Sequence, residues 1–166
     1  MAELLCSVYH KQHGLETMIA RGFAFVGPYL PLDAHFAVGN FIRDALDGGS
    51  IEVKGDGTAQ RSYLYAADLT VWLWTILLRG RACHPYNVGS EEAFSIAELA
   101  EEVRRLVNPS AAVRIACRAS LNSSAQHYVP STERARKELG LGQVIGLAQS
   151  LQRTAAWHTE ISETKP

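Results

Sequence analysis

The sequence is poor in the features that announce a specialised protein. Its 166 residues carry three cysteines, Cys6, Cys83 and Cys117, widely separated and in no C-x-x-C spacing. Neither a disulfide framework nor a thiolate zinc site fits that pattern, which suits a reducing compartment, the cytoplasm. No excess of either charge exists: the net charge is −1. Nucleic acid and anionic membranes, which demand clustered basic charge, are therefore not expected partners. The most apolar run, Leu69 to Leu78, is too short to span a bilayer. The N-terminus lacks the basic stretch and apolar core of a secretory signal. No H-x-x-x-H or H-E-x-x-H spacing offers a metal site, and no G-x-S-x-G elbow marks a nucleophile. A G-x-G-x-x-G loop is missing too.

What remains reads as an α/β chain. The period of apolar residues predicts a helix over Met1 to His13, with Leu4, Leu5 and Val8 on one face and Gly14 as its C-cap. Thr17 to Phe25 reads as a strand closed by Gly27-Pro28. Val38, Phe41, Ile42, Ala45 and Leu46 recur at helical spacing, and Gly48-Gly49 ends that helix. Ile51 to Lys54 and Arg61 to Tyr65 read as strands around a Gly55-Asp56-Gly57 turn. The following helix, from about Ala67 to Leu78, is apolar nearly all round, which predicts burial on more than one side. Pro85 to Gly89 and Val113 to Cys117 are brief strands. Ser95-Ile96-Ala97-Glu98 has the form of a capping box, opening a helix with Ile96, Leu99, Ala100, Val103 and Leu106 on its core face. Ser131 is the expected cap of a short helix to Leu139, stopped by Gly140. The polar segment Arg118 to His127 reads as a loop. A last helix, roughly Val144 to His158, should place Val144, Leu147, Ala148, Leu151 and Ala155 on its core face.

Four short segments occur in a telling order: Arg21 to Pro28 (RGFAFVGP), Ile51 to Asp68 (IEVKGDGTAQRSYLYAAD), Tyr86-Asn87-Val88-Gly89, and Glu138-Leu139-Gly140 followed by a helix with Leu147, Ser150, Leu151, Thr154 and Trp157. In that order they resemble the C-terminal half of extended short-chain dehydrogenases/reductases, within the NAD-dependent epimerase/dehydratase family and most similar to the dTDP-glucose 4,6-dehydratase kind. The resemblance covers essentially residues 1–166. It implies an incomplete Rossmann-type fold: a single C-terminal substrate-binding region of helices and short strands, residues 1–28 of which would pack on a Rossmann domain. It further implies NAD as cofactor, a nucleotide-diphosphate sugar as partner, and lyase or isomerase chemistry.

In that family a Y-x-x-x-K motif supplies a tyrosine acid/base and a lysine that lowers its pKa. The helix at Met1 to His13 resembles the one that follows this lysine, so the resemblance places the start of the chain just beyond it. Tyr9 is followed by His13 where lysine is needed. The chain alone is therefore expected to be inactive.

The resemblance assigns substrate contacts residue by residue. Arg61, after the G-D-G turn, falls where an arginine grips the diphosphate, and a planar guanidinium can pair two oxygens at once; a surface salt bridge is the plainer alternative. Asn87 falls on the Y-N-x-G asparagine near the same diphosphate, against a turn-forming role beside Gly89. Phe23, Ala24 and Phe25 lie where the strand passes nicotinamide and sugar, so Phe23 and Phe25 are cofactor-side candidates, with core packing as the alternative. Many members carry Asn at the position of Ala24, a departure that removes one amide from the sugar. His35, Phe36 and Asn40 fall on the segment lining the nucleotide pocket. A second possibility is a non-catalytic, self-associating assembly module, because a strand near Thr17 to Phe25 has an open edge, with exchange of the N-terminal helix and strand.

Overall fold

In the computed structural model, residues 1–117 and 126–164 are described. The first helix, α1 (Ala2–His13), ends on Gly14 in the left-handed conformation, φ 68°, as expected. None of its residues is fully buried, and Leu4, Leu5 and Tyr9 face outward. It is held by polar contacts instead: Arg21 meets Glu3 in a two-pronged ion pair at 2.6 and 2.7 Å, and Thr17 Oγ1 donates to the Cys6 carbonyl. The arginine draws the Glu3 carboxyl below its usual pKa, but the pair is exposed and contributes little to stability.

The expected strand at Thr17 to Phe25 is two strands. The first, β1 (Ile19–Gly22), and the second, β2 (Phe25–Val26), belong to different sheets, with Phe23 and Ala24 at the break. Likewise Arg61 to Tyr65 divides into β4 (Gln60–Arg61) and β5 (Leu64–Tyr65). The remaining strands are β3 (Ile51–Val53), β6 (Pro85–Val88), β7 (Phe94–Ser95), β8 (Val113–Ile115) and β9 (His127–Tyr128). They pair in four small sheets. Three are parallel pairs, β1 with β6, β2 with β5 and β3 with β8. The fourth places β4 between an antiparallel β7 and a parallel β9. Parallel pairing needs long crossovers, and the helices provide them.

Two apolar cores follow. In one, helix α2 (Ala37–Leu46) and α4 (Ile96–Val107) close over β3, and α6 (Leu147–Thr164) packs on both helices and on β2 and β5, with Phe41, Ile42, Leu99, Val103 and Leu151 inside. The capping box of α4 is complete: Glu98 N donates to Ser95 Oγ and Ser95 N to Glu98 Oε2. In the other core, helix α3 (Ala66–Arg79) and α5 (Glu133–Leu139) cover β6, burying Trp72, Ile76, Tyr86 and Val88. The β2–β5 pair joins them, since Val26 packs into the first and Leu64 into the second.

Three expectations are corrected. Helix α3 buries one face only, through Asp68, Trp72 and Ile76, and leaves Val71, Leu73, Trp74, Leu77 and Leu78 exposed. An all-round apolar sequence does not by itself say what covers it. Thr132, not Ser131, is the N-cap of α5, and it caps without its side chain, because Thr132 N and Oγ1 both donate to Glu91. Helix α6 starts at Leu147, so Val144 sits in the preceding loop, and Ala148 is exposed.

That loop is strapped to α3. The buried Asp68 carboxylate accepts from Val144 N (3.1 Å) and Ile145 N (2.9 Å), and Trp72 Nε1 donates to Gly142 O. Removing the carboxylate strands two donors. Asp68→Ala is expected to lower unfolding free energy by about 1–3 kcal/mol, measurable by urea denaturation.

Candidate functional site

The cleft most suited to a ligand lies where the two cores meet. It holds about 560 Å³ and is lined by Phe23, Ala24, Phe25, Leu30, His35, Phe36, Val38, Arg61, Tyr63 and Tyr128, among others. Its wall is mainly apolar and aromatic with one guanidinium, the usual make-up of a small-molecule site. A second depression of about 510 Å³, lined by Asp33, His35, Asn40, Arg43 and the Lys54–Gly57 turn, shares His35, Ala37 and Ile96 with it. The two depressions adjoin at these three residues.

Arg61 is presented by β4, and its position is set from three sides. Nη1 donates to Gln60 O (2.8 Å) and Gln126 O (3.3 Å), Nη2 donates to Gln126 Oε1 (3.3 Å), and the guanidinium carbon lies 5.8 Å from the Tyr128 ring centre. These contacts use three of five N–H donors. Tyr128 in turn packs on Phe23, with ring centres 4.8 Å apart. The arginine is thus a half-exposed cation held against an aromatic face, which is how a guanidinium is kept ready for an anion. Next to it, burial pushes the Tyr63 phenol up to about 12, against the pull of the Arg61 charge. Tyr63 is a neutral hydroxyl at neutral pH, a hydrogen-bonding group and not a base.

Gly57 and Gly89 shape the surroundings. Gly57 has φ 76°, and a Cβ there would meet Ala97 Cβ at 2.9 Å, so the turn is pressed onto the start of α4. At Gly89 a Cβ would meet Pro130 Cγ at 2.9 Å and Phe23 Cβ at 3.2 Å. That close approach, not a turn conformation, lets the end of β6 abut the cleft wall.

The expected site residues do not all converge. Phe23, Ala24, Phe25, His35 and Phe36 share the cleft with Arg61. Asn40 lies in the adjoining depression, with its side-chain nitrogen facing Leu32 O and Ala34 O, where it braces the loop before α2. Asn87 is placed elsewhere: it lines a polar depression with Arg21, Ser131, Arg134 and Lys137, and its Nδ2 donates to Ser131 O at 2.9 Å. Arg61 and Asn87 therefore do not form one two-residue grip. Tyr63 and Tyr128 were not singled out from the sequence, and Ile96, expected on the core face of α4, also lines the cleft. A two-residue strand such as β9 carries no readable period, and its pairing with β4 joins residues far apart in the chain.

The loop that carries His35 and Phe36 is anchored by aromatic contacts to α6. Tyr29, at φ 65°, sets its ring 4.4 Å from Trp157, and Trp157 meets His158 edge-on at 4.7 Å. Among the described residues, His158 Nε2 is buried without a partner.

Parallel α/β pairing, with the cleft at the carboxyl ends of β1 and β4, is that of an incomplete Rossmann-type fold. The chain belongs to the NAD dependent epimerase/dehydratase family, whose model matches residues 1–89. It is 34% identical over 151 residues to UDP-glucuronic acid decarboxylase 3 of Arabidopsis thaliana, across 91% of this chain and 43% of that one. Bordetella bronchiseptica WbmF, solved with NADH, superposes with a TM-score of 0.85 at 26% identity, covering 97% of this chain and 51% of that chain. DesIV, the dTDP-glucose 4,6-dehydratase of Streptomyces venezuelae solved with NAD and TYD, gives 0.79 at 26%, covering 96% and 48%. The chain thus spans about half the length of the relatives it matches. The family is one of NAD-dependent nucleotide-sugar enzymes. Neither G-x-G-x-x-G nor Y-x-x-x-K occurs in these 166 residues. No helix among the described residues is long and apolar enough to cross a membrane.

Burial holds the His158 pKa below 6.5, opposed by a hydrogen bond with the Leu30 backbone. The unfolded histidine takes up its proton near 6.5, whereas the folded one does so only at lower pH. Its contribution is thus present above 6.5 and lost as pH falls through the folded value. Denaturation at pH 7.5 and 5.5 is expected to show a stability loss that is smaller in His158→Phe.

Proposed function

We propose that this chain is the substrate-gripping portion of an NAD-dependent nucleotide-sugar dehydratase or epimerase, with the diphosphate seated on Arg61. The single observation that carries this reading is the Arg61 guanidinium, held over the Tyr128 ring in a mainly apolar cleft of about 560 Å³. The base would lie towards His35, Phe36 and Asn40, and the sugar along Phe23, Ala24 and Phe25. Phe23 and Phe25 would give an apolar wall to the nicotinamide, whose chemistry is to take and return a hydride at the sugar. Ala24 offers no amide to that sugar. Asn87 acts indirectly, by holding Ser131 three residues beyond Tyr128.

Residues 1–166 form one substrate-binding unit, of which residues 1–28 are the docking side for a nucleotide-binding half. Alone, the unit positions a substrate and turns none over, since positioning lowers a barrier only when the reacting groups are present. Three free thiols suit a cytoplasmic setting. The second reading, a self-associating assembly module, is favoured by the outward apolar residues of α1 and α3.

Calorimetry with UDP- and dTDP-sugars tests the first reading. Binding is expected without NAD, and Arg61→Ala should weaken it by about 1.5–3 kcal/mol, the range for a hydrogen bond to a charged group. Equal affinity in wild type and Arg61→Ala would reject it.

A further inference from the structure

We infer that Cys6 and Cys83 form a reversible disulfide site that locks α1 to the turn before β6, closed by a peroxide and reopened by a small dithiol. None of the residues involved lines the cleft at Arg61, so the site is independent of what that cleft binds. The two cysteines are 77 positions apart in the chain and meet in the fold. Cys83 Sγ lies 3.8 Å from the carbonyl oxygen of Cys6. Thr17 Oγ1 links the two, at 3.4 Å from that oxygen and 3.3 Å from the Cys83 sulfur. A carbonyl oxygen lies about 2.4 Å from its own Cα, so the Cys83 sulfur is no more than about 6 Å from Cys6 Cα.

Two further features single out this pair. Cys83 has φ 60°, a left-handed conformation that a residue with a side chain seldom adopts. A turn keeps it there, with His84 N donating to Arg81 O at 3.1 Å and Cys83 N to Thr17 O at 2.8 Å. The strained backbone thus holds the sulfur against residue 6. Facing it, α1 buries no residue fully, so a slide of this helix costs little packing. Such a slide brings the two Cα atoms within the roughly 7 Å that a disulfide spans. Both thiols are only partly buried, which admits a molecule as small as hydrogen peroxide. Cys117 stands apart, exposed and with its sulfur donating to Lys54 O. Closure takes two steps. One thiolate attacks peroxide, the O–O bond breaks, and a sulfenic acid and water remain after proton transfer. The second thiolate attacks the sulfenic sulfur, the S–O bond breaks, the S–S bond forms and a second water leaves. The two sulfurs give up two electrons in all, and peroxide takes both. In a reducing compartment the pair rests as two thiols; oxidant closes it and fixes α1.

Intact-mass spectrometry of the full chain tests this, in dilute solution and with Cys117→Ser so that only the pair remains. A small excess of hydrogen peroxide is expected to remove the mass of two hydrogen atoms, and dithiothreitol to restore it. A tryptic map should join the peptide that ends at Lys11 to the one that begins at Ala82. Closure should also slow trypsin at Lys11 by roughly thirtyfold or more, read after reduction. Adding Cys6→Ser or Cys83→Ser should abolish both effects. Sulfinic acid on either cysteine without the mass loss overturns the assignment, as does a bond that forms no faster in the folded chain than in urea. Closure that leaves Lys11 as open to trypsin as before overturns the lock.

Discussion

Everything proposed about ligand binding depends on β4, a strand of two residues. It is paired on both sides, antiparallel to β7 and parallel to β9, and this double pairing fixes where the Arg61 side chain starts. Gln60 N donates to Gln126 O, and Ile96 N to Ala59 O, so the strand is tied to the residue before β9 and to the start of α4. Without β9, the guanidinium would lose Gln126 and Tyr128 together, and a long flexible side chain would have to be ordered by the ligand itself at an entropic cost. The structure has met that cost before any ligand arrives.

The division into two cores explains why the cleft lies where it does. Parallel strands that are covered by helices leave their carboxyl ends open, and ligands of α/β folds collect there. Here β2 and β5 bridge the cores, and the chain breaks at Phe23 and Ala24 as it passes from one sheet to the next. The break turns Phe23 towards Tyr128, and Gly89 permits it by bringing β6 close. The same division leaves α1 and α3 carrying apolar residues on their outer sides, features without a role in substrate contact.

Much of this was legible in the sequence, and the limits have physical reasons. Helices of ten or more residues announce themselves by period, as at Val38, Phe41, Ile42 and Ala45, and helix ends of any length are marked by Gly14, Gly140 and the Ser95–Glu98 box. The order of the segments around Arg61 and Tyr86–Gly89 was enough for the family. Strands of two residues have no period, so the splits at Phe23–Ala24 and Ser62–Tyr63 were not visible, nor was Tyr128. The separation of Asn87 from Arg61 is a matter of which way two side chains leave different sheets, and a motif cannot report that. Burial of α3 was overestimated because hydrophobicity states a preference, whereas cover depends on what else is present.

The most direct measurement is a crystal structure of the chain with a nucleoside diphosphate. The account predicts the two phosphates within hydrogen-bond distance of the Arg61 guanidinium, between Phe23 and Tyr128, with the base towards His35. Phosphates found instead in the polar depression beside Asn87, Arg134 and Lys137, with Arg61 still bonded only to Gln60 and Gln126, would contradict it.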